Sequence, residues 1–287
     1  MSGMLEDKDW QLLLSRIRNE KCTPFIGAGA CHGTLPLGAE IAKEWAGRFN
    51  YPMKDCEDLV KVAQFLAVEN DYMFPKEELL SMFKNIKPPD FNTPDEPHGI
   101  LSDLPFPIYI TTNYDDFMVQ ALKGRNKDPK REFCRWNNAG KGKVSLFDSY
   151  FKPTAANPLV FHLHGYNELA ESLVLSEDDY LSFLVNLSRD QEILPPVIQG
   201  ALSGTSLIFI GYKLADWDFR VLFQGILSTL DKTQQRISVT VQLPPGQDDI
   251  KVYQEKYFGE MAKGMKVFWG TAREFTAELK KRWEQFK

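Results

Sequence analysis

The stretch TPFIGAGA, Thr23–Ala30, is a short apolar run that ends in two glycines. A run of this length bounded by glycine is typical of a buried strand. Gly27 and Gly29 follow it directly, and glycines in that position let the backbone come close to a bound phosphate. The stretch therefore predicts the first strand of a sheet, with a glycine-rich turn at its carboxyl end.

Short apolar runs alternate with helical patterns along the rest of the chain. The other runs that we interpret as strands are PFPIYITTN, PLVFHLHG, SLIFIGY, RISVTVQL and MKVFWG. Strands too apolar to have a wet face, separated by helices, are typical of a parallel sheet covered on both faces. We therefore predict an α/β fold: a Rossmann-like, doubly wound, mostly parallel sheet with a helical insertion after the first strand.

Two segments interrupt this alternation. Residues from about 38 to 98 are mostly helical in their periodicity and end in the proline-rich stretch KPPDFNTPDEPH. Residues from about 125 to 157 are polar and irregular, with REFCRW and KVSLFDSYF as weak candidate strands. We predict that residues 1–287 form a single domain in which both segments are insertions.

Composition and charge restrict the class of protein. Hydrophobic residues make up 43% and charged residues 25% of the chain, as is ordinary for a globular protein. The net charge is -5 and no basic block occurs, so an electrostatic nucleic-acid surface is disfavoured. The four cysteines form no C-x-x-C pair, and neither a secretory leader nor an apolar stretch of roughly 18 residues is present. We expect a cytoplasmic protein that binds neither nucleic acid nor a membrane directly.

Ligands of doubly wound sheets bind at the carboxyl ends of the strands. The strand ends to consider are Gly27–Gly33, Thr111–Asp116, His162–Gly165 and Gly211–Asp218. At the first, His32 breaks the G-x-G-x-x-G spacing, which disfavours an ordinary dehydrogenase, and the absence of G-K-[ST] excludes a P-loop. The turn is equally consistent with a nucleotide site and with a simple tight turn.

The strand end TTNYDD carries an amide and two acids. The Asn113 amide both donates and accepts hydrogen bonds, so it suits a ribose hydroxyl or a water, but it equally suits a helix cap. For Asp115 we favour the cap. At the end of SLIFIGY, Gly211 permits close backbone approach, and Asp216 or Asp218 would cap the predicted helix DWDFRVLFQGILSTL.

His162 and His164 stand two residues apart in VFHLHG, and on a strand both rings would point to one face. A metal pair would need further ligands, and no H-E-x-x-H or similar spacing is present. His162 lies inside the apolar run and suits packing. His164 borders Gly165 at the strand's end, where a histidine of ordinary pKa suits a general base near neutral pH.

The motifs GAGA, TTNYDD, HLHG and IGYKLADWDFR, in this order, resemble the sirtuin-like domains. The resemblance is closest to bacterial sirtuin-like proteins that hydrolyse NAD in anti-phage defence, rather than to protein deacylases. It implies that the turn of Gly27, Ala28 and Gly29 holds the NAD pyrophosphate. It makes Asn113, beside the nicotinamide ribose, and His164, acting on the ribose hydroxyls or on water, the catalytic residues. The other implied NAD-binding residues are Thr112, Asp115 in support of the Asn113 loop, and Gly211 and Tyr212 at the adenosine half.

Three features differ from the wider family. Cys31 stands where the family commonly has serine, and Lys213 stands where the second glycine turn often has serine. The two C-x-x-C pairs that build the zinc module of deacylating sirtuins are missing. The resemblance therefore implies a metal-free hydrolase without zinc, which transfers ADP-ribose from NAD to water and releases nicotinamide.

The resemblance also implies partners. A toxic NAD hydrolase that depletes NAD in abortive defence needs restraint, and this chain ends soon after the α/β domain. We expect a homo-oligomer and a separate regulatory partner, such as an ATPase or a nucleic-acid sensor. Two alternatives stay open: a module that binds NAD or ADP-ribose without turnover, and a metallohydrolase built on His162 and His164.

Overall fold

The computed structural model describes residues 5–140, 144–213, 237–261 and 265–286. Its strands are β1 (Cys22–Ile26), β2 (Ile108–Thr111), β3 (Lys130–Phe133), β4 (Leu159–His162), β5 (Ser206–Ile210), β6 (Ser238–Gln242) and β7 (Met265–Trp269). They form one sheet in the order β3-β4-β2-β1-β5-β6-β7, and every pairing between them is parallel. The predicted doubly wound, mostly parallel sheet is confirmed. The division of the chain into a single domain with two insertions stays a prediction.

The helices of the described ranges are α1 (Asp7–Arg18), α2 (Gly38–Arg48), α3 (Leu59–Glu69), α4 (Phe74–Lys84), α5 (Pro97–Asp103), α6 (Phe117–Gly124), α7 (Glu177–Arg189), α8 (Pro196–Gly204), α9 (Asp248–Met261) and α10 (Ala272–Phe286). The apolar faces of α7 and α8 pack on one side of the sheet, around Phe161, Phe183 and Phe209. On the other side lie α1, α5, α6 and α10, where Trp10 stacks on Phe275 at 5.6 Å between ring centroids. None of these helices combines the length and the apolar character that crossing a bilayer requires.

The strand order reverses beside β1. From β1 the chain moves to β2 on one side, and it later returns to β5 on the other side of β1. Phe25 of β1 is paired in register with Ile110 of β2 and with Phe209 of β5. Because crevices form where connections leave in opposite directions, the carboxyl ends of β1, β2 and β5 define the expected ligand-binding edge.

The predicted helical insertion consists of α2, α3 and α4, which build a satellite core around the buried Trp45 and Leu66. A buried ion pair joins this core to α7: Lys76 Nζ lies 2.9 Å from Asp179 Oδ1, and the Tyr72 hydroxyl donates to the same oxygen at 2.6 Å. Burial lowers the pKa of Lys76 despite the adjacent carboxylate. Because a buried charge is costly without its partner, this pair fixes the position of α4 on α7.

The local predictions have different outcomes. The candidate strand REFCRW overlaps β3, an edge strand of the sheet that begins one residue earlier, at Lys130. The strand assigned to KVSLFDSYF is wrong, because its described part is a short 3-10 turn at Leu146–Ser149. Helix α5 is not predicted from the sequence. Pro97 lies in its first turn, and the Glu96 carboxylate accepts from Gly99 N at 2.5 Å at its start. The predicted helix DWDFRVLFQGILSTL and the acids Asp216 and Asp218 lie outside the described residues.

Candidate active site

The glycine turns after β1 and β5 are packed directly against each other. Gly27 N donates to Ile210 O at 2.8 Å, and Gly29 N donates to Gly211 O at 2.9 Å. A Cβ on Gly29 would lie 2.8 Å from Gly211 Cα, and Gly211 has φ +82°. The tight-turn interpretation therefore accounts for these glycines, and two amides that we expected to meet phosphate already have acceptors. Ala28 is the exposed residue of the turn.

Tyr212, which follows β5, contacts residues at the carboxyl ends of β1 and β2. Its hydroxyl donates to Ile26 O at 2.8 Å and lies 2.9 Å from Thr112 Oγ1. Because a carbonyl oxygen only accepts, the Thr112 hydroxyl is the donor to the phenol oxygen. Burial raises the pKa of Tyr212, so the phenol stays neutral. Thr112 and Tyr212 thus lie together at one edge of the sheet, and Lys213 is exposed. Their binding of NAD stays a prediction.

The Asn113 side chain has a fixed orientation at this edge. Its Nδ2 donates to Gly27 O at 3.2 Å and to Cys31 Sγ at 3.3 Å. Gly27 O can only accept, so the amide nitrogen must face the glycine turn. The amide oxygen consequently lies on the side of the amide group away from the Gly27 carbonyl oxygen.

Asp115 holds the start of α6 and contacts Cys31. The cap that we favoured for Asp115 is wrong in position: the N-cap of α6 is Asp116, and Asp115, one residue earlier, accepts from Phe117 N through Oδ1 at 3.0 Å. Its Oδ2 accepts from the Cys31 thiol at 3.4 Å. Burial raises the pKa of Asp115. The carboxylate supports the loop of Asn113 through the thiol rather than by touching the amide.

The two histidines have different surroundings because β4 ends at His162. His162 Nδ1 donates to the Asn113 carbonyl oxygen at 3.0 Å, so His162 is a packed residue that orients its neighbour. The His164 ring is 5% exposed and lies edge-on to Tyr180 and Phe183 of α7, each at 5.3 Å between centroids. The Nε2 atoms of both rings are buried without a hydrogen-bond partner. The contact to Asn113 is made by His162, and the predicted pairing of His164 with Asn113 stays a prediction.

Burial lowers the pKa of His162 to about 4 and that of His164 to about 3. The ordinary histidine pKa on which we based a general base is therefore not that of the folded site. Both rings are neutral at neutral pH, and in His162, whose Nδ1 donates, Nε2 is an acceptor. A neutral His164 suits accepting a hydrogen bond from a hydroxyl or a water better than complete proton abstraction.

We expect the folded protein to lose stability as the pH falls below about 6.5, the ordinary histidine pKa. Below that pH both histidines are protonated in the unfolded chain. In the folded protein His162 is protonated only near pH 4 and His164 only near pH 3. Each histidine then lowers the free energy of unfolding by up to about 1.4 kcal/mol per pH unit. Urea unfolding between pH 7 and pH 5 measures the slope, and His164→Gln should flatten it. Equal slopes for parent and variant would contradict the buried neutral ring.

A cluster of possible metal ligands lies beside Asn113, away from the two strand histidines. In the described parts of the chain, the group of three whose ligand atoms lie within 4.8 Å of one another is Cys31, His98 and Asp115. His162 and His164 are not in it, so the metallohydrolase interpretation gains no third ligand there. The expectation of a metal-free protein stays a prediction.

Sequence reasoning missed Glu96 and His98. His98 Nδ1 lies 2.7 Å from Glu96 Oε1, and its Nε2 lies 3.9 Å from Cys31 Sγ. The available signal was the local sequence Glu-Pro-His-Gly, in which an acidic residue followed by proline is typical of a helix start. An α5 helix predicted on that signal would have placed His98 on an ordered element.

The parallel sheet and its switch point define a doubly wound α/β protein, and the switch point is where such sheets bind ligands. The family model of the SIR2-like domain matches residues 107–261, more than half of the chain, and the chain belongs to this family. The sirtuin-like recognition from the four motifs is thereby confirmed.

Curated relatives carry the name NAD(+) hydrolase ThsA. The protein of Cytobacillus dafuensis is 25% identical over 228 residues, 78% of this chain and 42% of the relative. That of Acinetobacter baumannii (strain 532279) is 24% identical over 216 residues, which are 74% of this chain and 40% of the relative. That of Bacillus cereus (strain MSX-D12) is 23% identical over 224 residues, which are 77% of this chain and 43% of the relative. The matches thus span about two-fifths of these relatives' length. A solved structure on the mechanism and regulation of Sir2 enzymes matches at 11% identity and TM-score 0.46, with 98% of each chain covered.

Proposed function

We propose that this protein hydrolyses NAD at the bond between nicotinamide and ribose, releasing nicotinamide and ADP-ribose. The observation that carries the proposal is the locked amide of Asn113, whose nitrogen is held by Gly27 O and Cys31 Sγ at the switch point of the sheet. An amide oxygen aimed from a strand end into such a crevice suits a ribose hydroxyl or a water. The ThsA relatives, named as NAD(+) hydrolases, support the same assignment.

The chemistry needs orientation more than acid. The glycosidic bond breaks through an oxocarbenium-like state, and its electron pair leaves with nicotinamide, which departs neutral. Water adds to the ribose carbon and its proton passes to solvent. Asn113 orients the ribose or the water through its amide oxygen, and neutral His164 accepts a hydrogen bond through the ring nitrogen that carries no hydrogen. Gly27, Ala28 and Gly29 with Gly211 and Tyr212 form the walls against which the pyrophosphate and the adenosine half lie.

The experiment is NAD turnover with identification of products. Purified protein is expected to release nicotinamide and ADP-ribose in equal amounts, and His164→Ala to lower the rate by about 100-fold, the size of a general acid–base contribution. His162→Ala is the comparison, because the His162 ring contacts the main-chain carbonyl of Asn113 rather than its amide group. A folded His164→Ala protein with parental turnover would remove His164 from the chemistry.

A binding module is the second candidate, favoured by one observation. The Gly27 and Gly29 amides already have acceptors, and His164 is enclosed by aromatic rings with a pKa of about 3. Such a pocket suits recognition of NAD or ADP-ribose without turnover. Saturable NAD binding without nicotinamide release, measured by calorimetry and product analysis, would select this function over hydrolysis.

The proposal extends to the biological setting. We infer that the protein depletes NAD as an abortive anti-phage effector in the cytoplasm, as a homo-oligomer restrained by a separate ATPase or nucleic-acid sensor. The support for this setting is the resemblance of the four motifs to bacterial sirtuin-like proteins of anti-phage defence. Sedimentation of the purified protein tests the oligomer, and co-expression with the neighbouring genes tests whether a partner changes NAD turnover.

A further inference from the structure

A buried carboxylate–imidazole pair, Glu96 and His98, lies at the start of α5. Glu96 and His98 are 2% and 1% exposed, and Glu96 Oε1 lies 2.7 Å from His98 Nδ1. The second carboxylate oxygen accepts from Gly99 N at 2.5 Å. Burial opposes ionisation of Glu96, but its hydrogen bonds with His98 and Gly99 bring the pKa below the ordinary value. A carboxylate buried to this degree needs such partners, so the pair fixes the imidazole in one orientation.

The fixed imidazole faces the thiol that touches Asn113. His98 Nε2 lies 3.9 Å from Cys31 Sγ, and the same sulfur accepts from Asn113 Nδ2 at 3.3 Å. The thiol hydrogen is directed to Asp115 Oδ2 at 3.4 Å. The edges of Phe91 and Phe117 enclose the His98 ring, with centroids at 6.5 Å and 6.0 Å. A continuous path of contacts thus runs from the dyad to the amide.

We propose that His98, held by Glu96, is a positioning residue that acts on Asn113 through Cys31. The inference rests on the proposed NAD hydrolysis and adds to it a support for the orienting amide. Removing the imidazole opens space behind the sulfur, so the thiol and the Asn113 nitrogen are no longer confined together. Small displacements of an orienting group reduce turnover strongly even when substrate still binds.

The same cluster does not suit a cysteine nucleophile. A nucleophilic cysteine reacts as the thiolate and needs access to substrate. Cys31 is 4% exposed, and burial, together with the Asp115 carboxylate, raises its pKa well above the ordinary value. Its hydrogen is already directed to Asp115. Cys31 is therefore the link between His98 and Asn113, not the reacting group.

Steady-state kinetics of designed variants of the chain test the role. His98→Gln is expected to lower kcat by about 10- to 100-fold with KM within about threefold of the parent. Cys31→Ala should lower kcat by a similar factor. Cys31→Ser should keep kcat near the parental value, because a hydroxyl also donates to Asp115 and accepts from Asn113. The kcat of the double variant His98→Gln/Cys31→Ala should equal that of the slower single variant, since both substitutions act through one contact.

The matched control is Asp9→Asn, which breaks the largely buried ion pair of α1 with Lys266 of β7 at 3.2 Å. It should lower the unfolding midpoint while leaving kcat unchanged. A folded His98→Gln protein with parental kcat would overturn the proposal. The same holds if His98→Gln and Asp9→Asn, when equally destabilised, lose kcat to the same extent.

A spectroscopic measurement decides the inference independently of turnover. In protein labelled with 15N-asparagine, the Asn113 side-chain amide signals are those lost in Asn113→Ala. We expect His98→Gln to shift them without NAD present, and Asp9→Asn to leave them in place. Failure of the parent to release nicotinamide would defeat the proposed function alone. Unshifted signals, or a stoichiometric metal ion that His98→Gln removes, would defeat the positioning role.

Discussion

Replacing Asn113 by alanine is expected to lower NAD hydrolysis by about 100- to 1,000-fold, the usual cost of removing one oriented group that stabilises a reacting centre. The variant loses the amide oxygen that we propose to orient the ribose or the water, together with the donors to Gly27 O and Cys31 Sγ. It keeps the backbone contact with His162, because that contact uses the main-chain carbonyl. The loss should therefore appear in kcat, measured as nicotinamide release at saturating NAD.

Two comparison variants separate orientation from general damage. Asn70→Ala removes an amide that also donates to a main-chain carbonyl, Leu66 O at 3.1 Å, at the end of α3, and it should leave kcat unchanged. Asn113→Asp keeps the shape but sets a carboxylate oxygen against Gly27 O, so it should be as slow as Asn113→Ala. Parental turnover by folded Asn113→Ala would exclude the amide from the reaction.

The sheet was predictable because its signal is local. Apolar runs such as those of β1, β4 and β5 have no polar face, and a strand without a polar face must be covered on both sides. The same reasoning failed at KVSLFDSYF, where Leu146 and Phe147 pack partly against the core from a short 3-10 turn. A few apolar residues in a polar segment indicate burial, but they do not distinguish a strand from a turn.

The site was predictable only as a set of strand ends. That Gly27, Thr112, Asn113 and Tyr212 meet follows from parallel pairing, since carboxyl ends of adjacent strands share one edge. The approach of His98 to Cys31 did not follow, because 67 positions separate them and α5 was not predicted. The low pKa of His164 was also beyond the sequence, since it arises from burial under α7.

Replacing Gly211 by alanine is expected to have the largest effect on stability. A Cβ there would lie 2.5 Å from Ala30 N and 2.6 Å from Gly27 O, and the residue has φ +82°. Left-handed backbone strain and overpacking together predict a loss of about 2–5 kcal/mol in the free energy of unfolding. The turns must separate, which moves Gly27 O away from the Asn113 amide, so NAD turnover should fall as well.

The matched control for Gly211→Ala is Gly200→Ala in α8, where a new Cβ meets no atom within 4 Å. Alanine is the better helix former, so that variant should gain up to about 1 kcal/mol. Gly29→Ala, whose Cβ would meet Gly211 Cα at 2.8 Å, separates the same two turns. Its cost should therefore be less than additive with that of Gly211→Ala in urea unfolding, because one separation relieves both clashes. Full additivity, or a Gly211→Ala protein as stable and active as the parent, would show that the working protein does not hold these turns in contact.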